Sequence, residues 1–234
     1  MDQQIISGIK EVRAIKGLTQ NDMASILGVN RATYINIEAG KRDLTVNELN
    51  KICESLNIGF SDIIDPSFLK RNNSEEKFKQ MYLYVVNNFF SDHGVPKTKL
   101  AKILYLIDFS NFYEKLESMS NVKYIRRDYG PVADPFFSLT DKMYMDGTIN
   151  IEPLESAQMI KPALTKDESY FLLSDDDKKL IEKICVYWKD KRTQEIVNFT
   201  HSQKPWKECR NGEEIPYSLI IQEEPDHVYA PTSA

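Results

Sequence analysis

The sequence predicts a mainly α-helical protein with a small β element (α+β): a five-helix domain, then a larger helical domain carrying a short β-ribbon. Three observations lead there. Apolar residues recur at helical spacing over most of the chain, and Ser, Thr, Asn and Gly residues punctuate the first part as helix caps and stops. Only two short stretches, within 121–127 and 148–162, have β-compatible patterning. A chain of 234 residues, 41% hydrophobic and 28% charged, fits two globular domains.

The elements follow in order. Asp2 is placed to cap a first helix whose apolar positions Ile5, Ile6, Ile9, Val12 and Ile15 share a face, and Gly17 ends it. Thr19 with Asp22 forms a capping box for a second helix, Gln20–Leu27, and Gly28 supplies the turn. Asn30 caps a third helix reaching Ala39, and Gly40 stops it. Thr45 with Glu48 opens a fourth, expected to bury Val46, Leu49, Ile52 and Leu56, and a short fifth lies near 61–64. Asp65-Pro66 then breaks the pattern, and the polar run from Lys70 to Ser74 reads as a linker. The expected division is a domain at 1–66, a linker at 67–76, a second domain at 77–222 and an acidic tail at 223–234.

In the second domain, a helix from residue 74 carries Phe78, Met81, Tyr82, Val85 and Phe89 on one side, and Gly94-Val95-Pro96 ends it. A helix over 97–113 points Leu100, Ile103, Leu104 and Ile107 inward, with Asp108 expected to bond a neighbouring backbone, because a lone buried carboxylate is costly. The β-compatible stretch 121–127 is followed by Tyr129-Gly130-Pro131-Val132, read as a forced turn unable to continue strand or helix. A helix over 135–145 and a β-ribbon pairing 148–151 with 158–162 come next. Ser174 and Asp177 open a further helix, whose Asp175-Asp176-Asp177 start suits the helix dipole better than a metal. No Lys or Arg follows Arg210, and the tail is expected to be frayed or to contact a partner.

Composition excludes several classes. No apolar run approaches the roughly 18–20 residues of a bilayer span, and no secretory signal follows Met1, so no membrane partner and a cytoplasmic location are expected. Cys53, Cys185 and Cys209, like His93, His201 and His227, have neither disulfide-framework nor zinc-ligand spacing, so no metal or other cofactor is expected. Net charge is −5, and residues 1–66 hold seven Lys/Arg against nine Asp/Glu, which argues against a general nucleic-acid coating protein.

The 18–58 stretch nevertheless has the spacing of a helix-turn-helix. With its third helix in a major groove, Arg31, Ala32, Thr33 and Asn36 face the bases, whereas Tyr34 and Ile37 face the core. Arg31 can fork to guanine and Asn36 can pair with adenine. Gln20 can reach a phosphate, and Lys41 and Arg42 can neutralise others. Through Gln20, Ala24, Gly28, Ile37, Glu38, Gly40 and Lys41 the segment resembles the lambda-repressor-like (XRE) helix-turn-helix family. Such a domain would bind a palindromic operator as a homodimer, with recognition helices about 34 Å apart.

No His-Glu-x-x-His, Gly-x-Ser-x-Gly, Walker or Gly-x-Gly-x-x-Gly motif occurs, and no catalytic residue is assigned; the protein is not expected to be an enzyme. Three patterns remain: 99–109, then Tyr129-Gly130-Pro131-Val132, then Thr200-His201 with Pro205-Trp206. In that order they resemble the Panacea (SocA-like) domain of bacterial and phage antitoxins, over roughly 78–221. The resemblance implies an antitoxin that binds a protein toxin through this domain and represses its own operon through the helix-turn-helix. It leaves room for a ligand-sensing regulator or a proteolysis adaptor. Tyr129, Gly130, Pro131, Val132, His201 and Trp206 are the candidate partner-binding residues; the turn could expose Tyr129 or simply bend the chain, and His201 could line a pocket or bond beside a packed Trp206.

Overall fold

The structure, a computed structural model, describes residues 3–90, 93–154, 157–163 and 170–230. Asp2, assigned above as a cap, and 231–234 of the tail lie outside them. The chain divides into two compact units, Met1–Asn73 and Ser74–Ala234.

The first unit holds α1 (Gln3–Ile15), α2 (Gln20–Leu27), α3 (Arg31–Glu38), α4 (Val46–Leu56) and α5 (Phe60–Ile64). Each of α2, α3 and α4 begins where a side chain satisfies an otherwise orphaned N–H. Thr19 and Thr45 form reciprocal capping boxes with Asp22 and Glu48, and Asn30 accepts from the Thr33 N–H at 2.8 Å. Ile9, Val12, Met23, Leu27, Tyr34, Ile37, Ile52 and Ile63 make the core. Val46 departs from expectation: it is 73% exposed, because it lies one turn ahead of the stripe Leu49, Ile52 and Leu56 and extends past the core edge.

The 67–76 stretch, expected to be a linker, is helical, part of α6 (Ser67–Phe89). The Asp65-Pro66 pair starts this helix as well as ending the previous one. Asp65 accepts from the Ser67 N–H at 3.1 Å, Pro66 sits where a helix has no N–H bond to lose, and the polar run behind it contains no Gly or Pro.

The second unit is organised around α7 (Lys97–Lys115), preceded by the short β1 (Val95–Pro96). Every residue from Lys99 to Asn111 is buried, so α7 is enclosed on all sides and does not show one inward face. Its polar side chains are therefore satisfied across the fold. Lys99 Nζ donates to the carbonyls of Lys189 and Lys191 at 2.8 and 2.5 Å, just past the carboxyl end of α9 (Asp175–Trp188), which favours a cation there. Asp108 accepts from the Ser120 N–H at 2.7 Å, the Ser120 hydroxyl at 2.5 Å and the Tyr124 hydroxyl at 2.9 Å.

The expected turn falls at Asp128-Tyr129, and Gly130-Pro131-Val132 do form a strand. β2 (Tyr124–Arg127) pairs antiparallel with β3 (Gly130–Ala133), Arg126 opposite Pro131. The Arg126 N–H and carbonyl turn away from β3 to Glu213 and Gly212, which makes this a non-hydrogen-bonded pair. Pro131 thus stands where its missing N–H costs no ladder bond, and its carbonyl faces outward. After α8 (Phe136–Met145), the expected ribbon appears as β4 (Ile149–Leu154) and β5 (Ala157–Pro162), and β1 adds a third strand in the order β1-β5-β4. A two-residue strand has no periodicity to read.

Following α9, α10 (Thr193–Ser202) and α11 (Lys204–Lys207) lead into two 3₁₀ turns at Tyr217–Gln222 and Pro225–His227. The acidic tail is docked as far as residue 230. Val228 is buried, the Tyr229 carbonyl accepts from Trp188 Nε1 at 2.6 Å, and Gln203 donates to the carbonyls of His227 and Val228. Glu223 accepts from the Lys204 backbone N–H and lies 2.8 Å from His227, while Glu224 and Asp226 are exposed.

Candidate functional site

In the first unit, Gly28 ends α2 at a φ of +72°, where any Cβ would be strained, and Asn30 starts α3 two residues later. The exposed face of α3 is Arg31, Ala32, Ile35 and Asn36, continuing to Ala39, while Tyr34 and Ile37 are buried. Thr33 is half-exposed beside this face, and Ile35, 37% exposed, lies on it.

Beneath this face runs a chain of polar bonds. Arg13 Nε donates to Glu38 at 2.7 Å, Gln20 Nε2 donates to the other Glu38 oxygen at 3.0 Å, and Arg31 donates to Gln20 Oε1 at 3.2 Å. Burial pushes the Glu38 carboxyl up, but its bonds from Arg13 and Gln20 with the Arg13 charge outweigh that and hold it below the usual value. The network ties α1, α2 and α3 together and sets Arg31 at the edge of the face. Gln20 is engaged at both ends of its amide, and Arg42 is held by Glu48 at 2.8 Å. Lys41 is exposed. Arg13 and Glu38 were missed as a pair by sequence reasoning, although a charge beside Ile37 on a core-facing stripe is the signal for one.

In the second unit, the three separated sequence patterns converge on Gly130. Lys102, 1% exposed, donates from Nζ to the Pro131 carbonyl at 2.8 Å. A Cβ on Gly130 would stand 2.6 Å from Lys102 Cε and 3.2 Å from His201 Nε2, and the residue holds a φ of +102°. Only glycine fits between those two groups. His201 stacks on Trp206 with centroids 4.0 Å apart at 9°, Arg126 sits 4.1 Å over the same indole, and Trp206 Nε1 donates to the Arg127 carbonyl at 3.1 Å. Burial lowers the His201 pKa, the Lys102 and Arg126 charges add to that, and a bond to the Tyr129 backbone opposes it. Burial likewise brings Lys102 down to about 7. Of the six candidate partner-binding residues, Gly130, Pro131 and Val132 are buried, His201 and Trp206 half-buried, and Tyr129 is 77% exposed at the hairpin tip. Lys102 had no role assigned from sequence; a lysine among Leu100, Ala101, Ile103 and Leu104 was its only signal.

One arrangement has the outline of a hydrolytic triad. Ser202 Oγ is 2.9 Å from His227 Nε2, and His227 Nδ1 is 2.8 Å from Glu223. The Ser202 hydroxyl, however, also reaches the Phe199 carbonyl at 2.7 Å and lies at the carboxyl end of α10, where the helix dipole opposes an oxyanion. The group works as a clasp on the tail. Among the described residues no cluster of His, Cys, Asp and Glu suits a metal ion, and no helix is long and apolar enough to cross a membrane.

Residues 9–63 match a helix-turn-helix family, and residues 100–207 match the antitoxin SocA-like Panacea domain, a span containing Lys102, Gly130, His201 and Trp206. Neither is an enzyme family. An uncharacterized HTH-type transcriptional regulator of Methanocaldococcus jannaschii is 42% identical over 55 residues, which are 24% of this chain and 83% of that protein. No solved structure matches the chain. With its capped α2–turn–α3 in the first unit and the Gly130 cluster in the second, the chain belongs to the XRE-type helix-turn-helix family and carries a SocA-like Panacea domain.

Proposed function

We propose that this protein is an antitoxin: its second unit neutralises a protein toxin by direct, stoichiometric binding, and its first unit represses the shared operon as a homodimer. One observation carries the reading, the presence in one chain of an exposed recognition face, Arg31, Ala32, Ile35 and Asn36, and a Panacea domain whose scattered motifs meet at one hairpin. Tyr129, Phe137, Tyr144 and Met145 are exposed on the second unit, and a protein partner would cover apolar side chains of this kind. On this reading the mechanism is steric, needs no cofactor and operates in a bacterial or phage-infected cytoplasm.

In the first unit Arg31 and Asn36 read base edges, Ile35 contributes an apolar contact, and Lys41 sits on a phosphate. Gln20 acts through its bond to Arg31, and Arg42 reaches a phosphate only by giving up part of its bond to Glu48.

The test is co-expression of the full chain with the product of the adjacent reading frame. Rescue from that product's toxicity, with a stable complex on purification, is expected. Arg31→Ala with Asn36→Ala should abolish operator binding and leave rescue intact. A neighbouring product that is harmless alone, or lethal with and without this chain, removes the antitoxin assignment.

A further inference from the structure

A cleft of about 630 Å³ opens beside the Gly130 cluster, between the start of α7, the β2–β3 hairpin and the start of α8. Its volume lies in the range of small-molecule sites, roughly 300–1,000 Å³. Lys97, Lys102 and Arg127 line it and no carboxylate does, in a chain whose net charge is −5. Asp141, 3.9 Å from Lys97 Nζ, stands outside the lining.

Lys102 is the telling member. Its amine is buried, and its hydrogen bond to the Pro131 carbonyl satisfies one of the three donors that an ammonium carries. Burial favours the neutral amine, and an anion entering the cleft would favour the ammonium, so anion binding and protonation of Lys102 support one another. Three aromatic rings line it beside Pro96, Ala101, Val132 and Ala157. Tyr129 and Phe137 are 77% and 49% exposed at the rim, Phe136 is buried behind them, and Lys97 sits 5.3 Å over the Phe137 ring. With Lys102 buried, Lys97 half-buried and Arg127 exposed, basic groups and flat rings share one cleft, which suits a ligand that is anionic at one end and planar at the other.

We propose that this cleft binds a small molecule of the nucleoside-phosphate class, its phosphate directed to Lys97, Lys102 and Arg127 and its ring against Tyr129, Phe136 and Phe137. The site does not depend on toxin neutralisation. It gives the second unit a ligand signal alongside a protein partner, placed where an occupant touches the hairpin that exposes Tyr129.

Calorimetric titration of the full chain with the four ribonucleoside monophosphates, inorganic phosphate and adenosine tests this. At least one monophosphate should saturate, about tenfold or more tighter than inorganic phosphate or adenosine, and Arg127→Ala and Phe137→Ser, both at exposed side chains, should each weaken it about tenfold. Lys102→Met should do the same if its thermal transition is retained, and the surface variants decide the matter if it is not. No saturation by any monophosphate at millimolar concentration overturns the proposal. So does binding that Arg127→Ala and Phe137→Ser leave unchanged, or equal binding of nucleotide and inorganic phosphate. An acidic peptide that saturates where every nucleotide fails transfers the cleft to a protein partner and equally overturns it.

Discussion

The two units solve the same problem, burying apolar helices without stranding polar groups, with a different balance of near and distant bonds. In the first, Thr19, Asn30 and Thr45 each cap a helix by bonding a group three residues away, and the core is one patch of apolar faces edged by Glu38, which Arg13 and Gln20 hold from other helices. In the second, the central helix α7 is enclosed on every side. Its Lys99, Lys102 and Asp108 find partners at Lys189, Lys191, Pro131, Ser120 and Tyr124, all far along the chain. Local satisfaction makes a small unit whose surface is free to serve as an interface. Distant satisfaction makes a unit whose function-bearing hairpin is fixed by its core.

The glycines sharpen this contrast most. At Gly28, φ is +72° with open space around a would-be Cβ, so Gly28→Ala should cost only the left-handed backbone term, about 1–2 kcal/mol. At Gly130 the same kind of strain is joined by overlap with Lys102, so Gly130→Ala should cost about 2–5 kcal/mol. Urea unfolding of the full chain would measure both, and equal losses would show that the hairpin is not packed against Lys102.

Next in size is the response to pH. Burial pushes Asp108 up to about 6 in spite of the bonds from Ser120 and Tyr124, while Glu38, with Arg13 beside it, sits below the usual value. A carboxyl whose pKa rises on folding binds its proton more tightly in the folded state, so Asp108 lowers stability as pH climbs from about 4 to about 6. Glu38 has the other sign: its stabilisation is present above the ordinary carboxylate value and disappears as pH falls through its lower folded one. The native protein should therefore lose roughly 2–3 kcal/mol relative to Asp108→Asn between pH 4 and pH 7. A stability difference constant over that interval would contradict the assignment.

The smallest effect is the local one. Thr19→Ala removes a reciprocal cap and should cost about 1 kcal/mol. Amide hydrogen exchange should report the loss in 3–73 with protection of α7 unchanged. A loss of protection in α7 would mean that the units do not satisfy their polar groups separately.

Legibility in the sequence follows the same division. The bounds of α2 and the caps of α3 and α4 were readable from Thr19, Asn30 and Thr45, because the partner of each cap lies within one turn. The boundary between the units falls within the 67–76 stretch, but its helical conformation was not read, because polarity suggested a loop whereas the Asp65-Pro66 start and the absence of Gly or Pro behind it favour helix. The turn at Tyr129 was legible but the strand after it was not, because Pro131 forbids a ladder bond only if its N–H position faces the partner strand, and the register turns it away. On the candidate sites, Arg31, Ala32, Asn36 and Lys41 were visible as exposed polar or small residues. Ile35 was not, since an isoleucine reads as core until the neighbouring helices are in place, and neither was Lys102, whose single acceptor lies on another element.

The sequence by itself therefore determined the caps of α2, α3, α4 and α9, the two families and the order of the three motifs, since these depend on neighbours within a few residues or on pattern alone. Tertiary structure decided which side chains remain in water, the strand character of Gly130–Ala133, the docking of the tail and the meeting of Lys102, Gly130, His201 and Trp206 around a cationic cleft. The physical reason is that burial and the partners of buried charges belong to surfaces brought together by packing, and a linear pattern records a residue's chemistry without recording what faces it.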